Sequence, residues 1–298
     1  MNQKIGLIGL GAMGEVIATH LLNKNFDVSG YDILPERGQQ LETFGLKNLD
    51  SVQAVSDHAD ILISSLPSYS SLQNVISEIS TAGKSAQILL ETSTLEVSQK
   101  IEAGNVFESS GNIFLDAPIS GTTPLVKAMK GSIFVGGDKE AYERCIPAIN
   151  AFTSTNYYIG DVGDSTKMKY LANYMVFVHT VAAAECFTLG QKAGLDPVLI
   201  HETLKSSAGN SRMFEQRGEM MAKSDYRDGT AAVFNIYNKD ASIITEFAAE
   251  LRSPIDLFLS ARQKYSSASA LGLDHLEIAA VCRAIEISAG ITRDLVKD

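Results

Sequence analysis

A short apolar run, Ile5-Gly-Leu-Ile, enters Gly9-Leu10-Gly11-Ala12-Met13-Gly14, and the glycines open onto Glu15-Val-Ile-Ala-Thr-His-Leu-Leu22. That order restricts the fold more than any other stretch. The apolar run is too short for a helix and reads as a buried strand, whereas residues 15–22 have helical spacing. A Gly-x-Gly-x-x-Gly turn between them permits a tight reversal and close backbone approach. The helix N-terminus then offers free N–H groups to a pyrophosphate. A second strand, residues 26–31, ends at Asp32, 18 residues past Gly14. Strand, glycine turn, helix, strand and acid agree on a dinucleotide site made of Gly9, Leu10, Gly11, Ala12, Met13, Gly14 and Asp32. A carboxylate at Asp32 accepts hydrogen bonds from the adenosine ribose and repels a 2′-phosphate, so the expected cofactor is NAD rather than NADP. Arg37 is close enough to blur that preference and is assigned to the next helix.

The alternation continues through strands at 59–67, 87–94 and 112–121, with closing strands at 131–136 and 156–160. Ligands of open parallel sheets bind outside the carboxyl ends of the strands. Leu66-Pro67, Ser93, Thr94 and Ser120-Gly121 stand at such ends. For Ser93 and Thr94, capping of a helix before Leu95-Glu96 is an equal alternative to cofactor contact.

The stretch from Gly160 to Asn173 ends this alternation. Asp164, Ser165 or Thr166 can cap a helix that meets no proline or glycine before Gly190, roughly seven turns. Lys169 and Asn173, four residues apart, share a face. They can serve a catalytic site or be a surface lysine and a solvated asparagine. Lys167 faces elsewhere and is expected in solvent. Further on, a helix starts at Pro197. Asn210, Ser211 and Arg212 either cap the next helix or touch substrate. Phe234 and Tyr237 are core or pocket wall, a helix covers 240–251, and Asp274 starts the last one. The fold expected is an α/β Rossmann-type N-terminal domain, residues 1–162, followed by an all-α C-terminal domain, residues 163–298, joined by a long interdomain helix.

Net charge of −10 with a pI near 5.0 leaves no basic face, which argues against nucleic acid. Cys145, Cys186 and Cys282 are odd in number and widely spaced, which fits reduced thiols in a cytoplasmic protein. The five histidines lack metal-ligand spacing, so no metal is expected. The N-terminal segment is not patterned as a signal peptide. The most apolar stretch, residues 175–189, contains His179 and Glu185 and falls short of the roughly 20 residues of a membrane span. It is expected as a buried helix, in a homodimer or homotetramer.

Four blocks, in this order, carry a resemblance: Gly9-Leu-Gly-Ala-Met-Gly14, Asp116-Ala-Pro-Ile-Ser-Gly121, Gly160 through Lys169 to Asn173, and Lys239-Asp240. Together they resemble the β-hydroxyacid dehydrogenases, the group of 3-hydroxyisobutyrate dehydrogenase. The resemblance implies that Lys169 is the general acid/base and that Ser120 with the Gly121 backbone holds the substrate carboxylate and hydroxyl. It implies that Asn173 orients substrate, that Lys239 reaches the site from the second domain, and that Ser93 and Thr94 lie near the nicotinamide. Three departures are visible. Thr122 stands where the family has a second glycine, the segment from Gly121 to Gly131 is about two residues longer, and Ala172 precedes the asparagine. They surround the substrate carboxylate and bear on substrate identity.

Oxidising an alcohol with NAD requires a hydride acceptor, which the cofactor supplies, and a base, which the protein supplies. A lysine does this near neutrality only when buried or beside other cations; the alternative for Lys169 is a carboxylate anchor. The expected substrate is a small β-hydroxy acid of the 3-hydroxyisobutyrate type. Thr122-Thr123-Pro124 keeps a 3-hydroxy amino acid (serine, threonine or phenylserine type) open. A glyoxylate, succinic or tartronate semialdehyde reductase is a further alternative. Imine reductases share the architecture, but Lys169 counts against them. A sensor without turnover would have no use for Ser120, Lys169, Asn173 and Lys239 together.

Overall fold

The computed structural model describes residues 3–81, 83–227 and 234–295. Backbone contacts divide the chain into two compact units, residues 1–169 and 170–298.

The first unit alternates strands and helices: β1 (Lys4–Ile8), α1 (Ala12–Asn23), β2 (Asp27–Tyr31), α2 (Pro35–Glu42), β3 (Lys47–Asn48), α3 (Val52–His58), β4 (Ile61–Ser64), α4 (Tyr69–Thr81), β5 (Ile88–Glu91), α5 (Val97–Ser109) and β6 (Ile113–Asp116). These strands lie in the order β3-β2-β1-β4-β5-β6, all parallel. The central strands β4 and β5 are buried along their length and apolar up to their last residue, because both faces are covered. Ile5, Leu7, Ile63 and Leu90 pack on one side with α1; Leu62, Leu89 and Phe114 pack on the other with α3, α4 and α5.

Past β6 the sheet becomes mixed. β7 (Ile119–Ser120), α6 (Thr123–Lys127), β8 (Ser132–Gly137), α7 (Lys139–Phe152) and β9 (Thr155–Gly160) follow. β8 runs antiparallel to β6 and β7, and β9 parallel to β8. The single strand expected at 112–121 is therefore two. Pro118 has no N–H to give to a ladder, and after it the chain leaves β5, while the pairing with β8 that starts at Leu115 and Asp116 resumes at Ile119 and Ser120.

α8 (Asp164–Lys192) spans the boundary between the units as one helix and runs through Gly190, past its expected end. The second unit adds α9 (Pro197–Leu204), α10 (Arg212–Lys223), α11 (Phe234–Glu250), α12 (Asp256–Ala270), a 3₁₀ turn (Ile278–Ala280) and α13 (Val281–Ser288). Phe177, Phe258 and Tyr265 form its aromatic core. Phe234 is fully buried and Tyr237 packs on Phe177 and Tyr265, so both serve the core. Ser211 caps α10 by accepting the Phe214 N–H. Asp274 starts no helix. It accepts from Ser269, and Glu277 caps the 3₁₀ turn instead. Asp274 and His275 form a turn closed by the Leu276 N–H on the Leu273 carbonyl, so helical backbone begins four residues later than expected.

Candidate active site

The glycine turn is shaped by backbone crowding. Gly9 has φ +90°, and a Cβ there would stand 2.3 Å from the Ser65 carbonyl oxygen. A Cβ on Gly14 would stand 2.0 Å from the Gly9 carbonyl oxygen, so helix and strand approach as closely as glycine allows. At Gly11, by contrast, a Cβ would meet only the Arg37 guanidinium at 3.6 Å. Gly11 is the N-cap of α1, and no side chain caps the first N–H groups of the helix. Open approach at the middle glycine and helix N–H groups without a side-chain cap suit a pyrophosphate.

Asp32 follows β2 and is 9% exposed. Its carboxylate accepts the Leu10 N–H at 2.7 Å and the Leu34 N–H at 2.9 Å. Arg37 does lie on α2, as expected, but it also reaches back, with Nη1 3.2 Å from Asp32 Oδ2. Sequence distance alone did not show that contact: one turn of α2 brings the side chain round to the strand end.

The hydroxyl segment after β5 is tied to the loop after β4. Ser93 Oγ accepts the Leu66 N–H at 2.9 Å, and the Ser93 N–H donates to Glu91 Oε1 at 3.0 Å. Neither Ser93 nor Thr94 caps α5. Glu96 does, in a reciprocal capping box with Gln99, because Leu95 extends the chain before the helix begins. Pro67 is exposed beside Leu66. Ser120 is half-buried on β7, Gly121 has φ +145°, and Thr122 is the N-cap of the short α6.

Lys169 is 8% exposed in the second turn of α8. The residues just before it are anchored. Ser165 Oγ and Thr166 Oγ1 donate to Asp116, at 2.7 and 2.9 Å, as do the N–H groups of Gly163 and Thr166. Asp164 accepts the Asp161 N–H and pairs with Lys167, which is 46% exposed. Asp116 therefore caps this helix from another strand, while Ser165 and Thr166 act as donors to it.

Asn173 lies one turn beyond Lys169. Its Nδ2 donates to Asp240 Oδ2 at 2.8 Å. Lys239 is 47% exposed on α11, with Nζ 3.9 Å from Asp240 Oδ1. Asp240, 8% exposed, thus joins two of the expected residues. Its sign in the sequence was adjacency to Lys239, and only the packing of α8 and α11 linked it to Asn173.

Two family models cover the chain. The NAD binding domain of 6-phosphogluconate dehydrogenase matches residues 4–160. The NAD-binding model of NADP-dependent 3-hydroxyisobutyrate dehydrogenase matches residues 163–285. The glycine turn, Asp32 and these matches define an NAD-dependent oxidoreductase acting on CH–OH groups. Among curated proteins, 2-(hydroxymethyl)glutarate dehydrogenase of Eubacterium barkeri is 27% identical, over 97% of each chain. L-threonate dehydrogenase of Cupriavidus necator is 29% identical, over 91% of this chain and 92% of that one. Among solved structures, Mycobacterium tuberculosis 3-hydroxyisobutyrate dehydrogenase with L-serine superposes with a TM-score of 0.86. It is 24% identical and covers 96% of this chain and 99% of that one. The chain belongs to the β-hydroxyacid dehydrogenase family. Among the described residues, no helix is long and apolar enough to cross a membrane.

Proposed function

We propose that this chain oxidises a small β-hydroxy acid of the 3-hydroxyisobutyrate type with NAD, and that Lys169 is the general acid/base. The carrying observation is the placement of Lys169, nearly buried on a helix whose first turn is held by Asp116. Burial keeps bulk water from competing for the proton. Anchoring keeps the ammonium in one place, which general acid–base catalysis requires. The chemistry of the relatives agrees in class, since both named substrates are hydroxy carboxylic acids.

In this reading Lys169 Nζ accepts the proton of the substrate hydroxyl, and in reverse returns it to the forming alkoxide. A bound nicotinamide supplies the hydride acceptor. Gly9–Gly14 hold its pyrophosphate and Asp32 its adenosine ribose, with Leu66, Pro67, Ser93 and Thr94 bordering the ring. Ser120 and the Gly121 N–H hold the substrate carboxylate, and Thr122 sets the room beside it. Asn173, oriented by Asp240, directs the hydroxyl, and Lys239 adds a mobile positive charge. Residues 1–162 are the dinucleotide-binding part and residues 163–298 the substrate and dimerisation part. Exposed Leu171, Met175 and Leu189 on α8 support a homodimer or homotetramer. A monomer mass in light scattering would refute that.

The 3-hydroxy amino acids are the second reading, favoured by the hydroxyl at Thr122 where an ammonium group would need an acceptor. Absorbance of the reduced nicotinamide is followed with a panel of β-hydroxy acids and 3-hydroxy amino acids. The first reading requires the highest kcat/KM on a β-hydroxy acid; a higher value on serine or phenylserine selects the second. No turnover on any member of the panel, with NAD bound, rejects both.

A further inference from the structure

Glu91 ends β5 and Asp116 ends β6, and the two are direct neighbours in the parallel register. Both side chains are wholly buried. Two carboxylates side by side in a dry interior repel strongly unless a cation lies between them. Lys100 is that cation. It lies on α5 on the same stripe as Ala103, Gly104 and Phe107, where helical spacing calls for an apolar residue, and it too is wholly buried. Its Nζ stands 2.9 Å from Asp116 Oδ1, donates to Glu91 Oε2, and donates to the Glu91 carbonyl at 3.2 Å. Burial opposes the ammonium, but Asp116 and Glu91 more than offset this and hold its pKa above the ordinary lysine value.

Each carboxylate uses its remaining acceptors on a different functional segment. Glu91 Oε1 takes the N–H of Ser93, whose hydroxyl holds the Leu66 N–H. Asp116 takes both N–H and hydroxyl donors from the start of α8, three residues ahead of Lys169. A negative side chain at a helix N-terminus is favourable in itself. Here it also fixes where the helix begins. Lys100 thus touches the supports of both the Ser93 segment and the Lys169 helix.

We propose that Lys100 is a positioning residue. By bridging Glu91 and Asp116, it sets the separation between the segment at Ser93 and the ammonium of Lys169, without touching substrate or cofactor. The inference rests on the proposed role of Lys169. A misplacement of about 1 Å in such a constellation costs on the order of 10²-fold in rate, so a small relaxation of this bridge is visible in turnover.

The test compares full-length Lys100→Met and Asp116→Asn with the native protein. Turnover is normalised to NAD-binding sites, so that loss of folded protein is not counted as loss of rate. Three quantities are read: kcat per site, the primary isotope effect with substrate deuterated at the carbinol carbon, and hydrogen exchange of amides 163–169. The proposal expects kcat per site to fall by about tenfold to 100-fold with the NAD dissociation constant within about threefold. The isotope effect should rise as hydride transfer becomes limiting, and the Gly163 and Thr166 amides should exchange faster. If Lys100→Met does not fold, Asp116→Asn decides. Native kcat per site and isotope effect in a folded variant overturn the proposal and reduce Lys100 to a stabilising ion pair. Native protein inactive on every hydroxy acid would instead refute the assigned function, and the exchange data would still report on the clamp.

Discussion

Two lysine–carboxylate groups in this protein differ in almost every physical respect. Lys100 in the first unit is wholly buried, lies within hydrogen-bond distance of two carboxylates, and has no route to solvent. Lys239 in the second is 47% exposed and 3.9 Å from Asp240. A buried cation between buried anions is locked, because removing any one member strands the others without water. A half-exposed lysine at the edge of contact distance can exchange its partner for water or ligand at little cost. The first arrangement suits a frame and the second suits a reaching arm. Residue type alone does not separate the two; surroundings do.

The sharpest way to break that contrast uses a third lysine. Lys169→Ala should lower kcat by about 10²–10⁴-fold while NAD still raises the melting temperature as in the native protein. Near-native turnover would leave Lys169 a carboxylate anchor and remove the reason for a rigid frame beneath it. Next, Lys100→Met should destabilise folding by about 3–5 kcal/mol in denaturant titration, whereas Lys239→Met should cost under about 1 kcal/mol and raise KM. Equal losses would erase the distinction. The same pair gives a pH signature. The Lys100 pKa is raised in the folded state, so its contribution is fully present below the unfolded value near ~10.4 and is lost as pH rises through the folded one. Stability of the native protein should therefore fall more steeply at alkaline pH than that of Lys100→Met.

A smaller effect is expected at Asp32. NAD should raise the melting temperature more than NADP at equal concentration if Asp32 takes the proposed role of accepting from the ribose and repelling a 2′-phosphate. The Arg37 contact at 3.2 Å moderates this, so Arg37→Ala should widen the gap. Equal shifts by both cofactors in Arg37→Ala would mean that Asp32 does not discriminate. The smallest is Ser211→Ala, which removes the α10 cap and should cost about 1 kcal/mol with kcat unchanged. A matching loss of turnover would move the loop at 210–212 into the substrate site.

Much of the fold was legible in order along the chain. The glycine turn, the apolar strands and the start of α8 are local signals, and each depends on residues within a few positions of one another. The break at Pro118 was visible in principle, since proline interrupts a ladder, but the antiparallel pairing with β8 on both sides of it was not. Asp274 was misread because Gly272 and an acid imitate a helix start. The Asn173–Asp240 bond was hidden because a hydrogen-bond partner is chosen by packing, not by spacing; Arg37 was legible as near enough to Asp32 to blur its preference, but not as its direct partner.

Lys100 marks the limit most clearly. A lysine on the inward stripe of α5, with Glu91 and Asp116 ending apolar strands, is a readable anomaly once the helix phase is known. Local chemistry in the chain is enough to specify the strand–turn–helix dinucleotide site and the succession of elements, because φ/ψ preference and hydrophobic period act over short range. Which charged groups meet, and which become buried in doing so, was decided by the assembled sheet and helices, because the strength of an ionic interaction depends on desolvation and distances that no stretch of sequence contains.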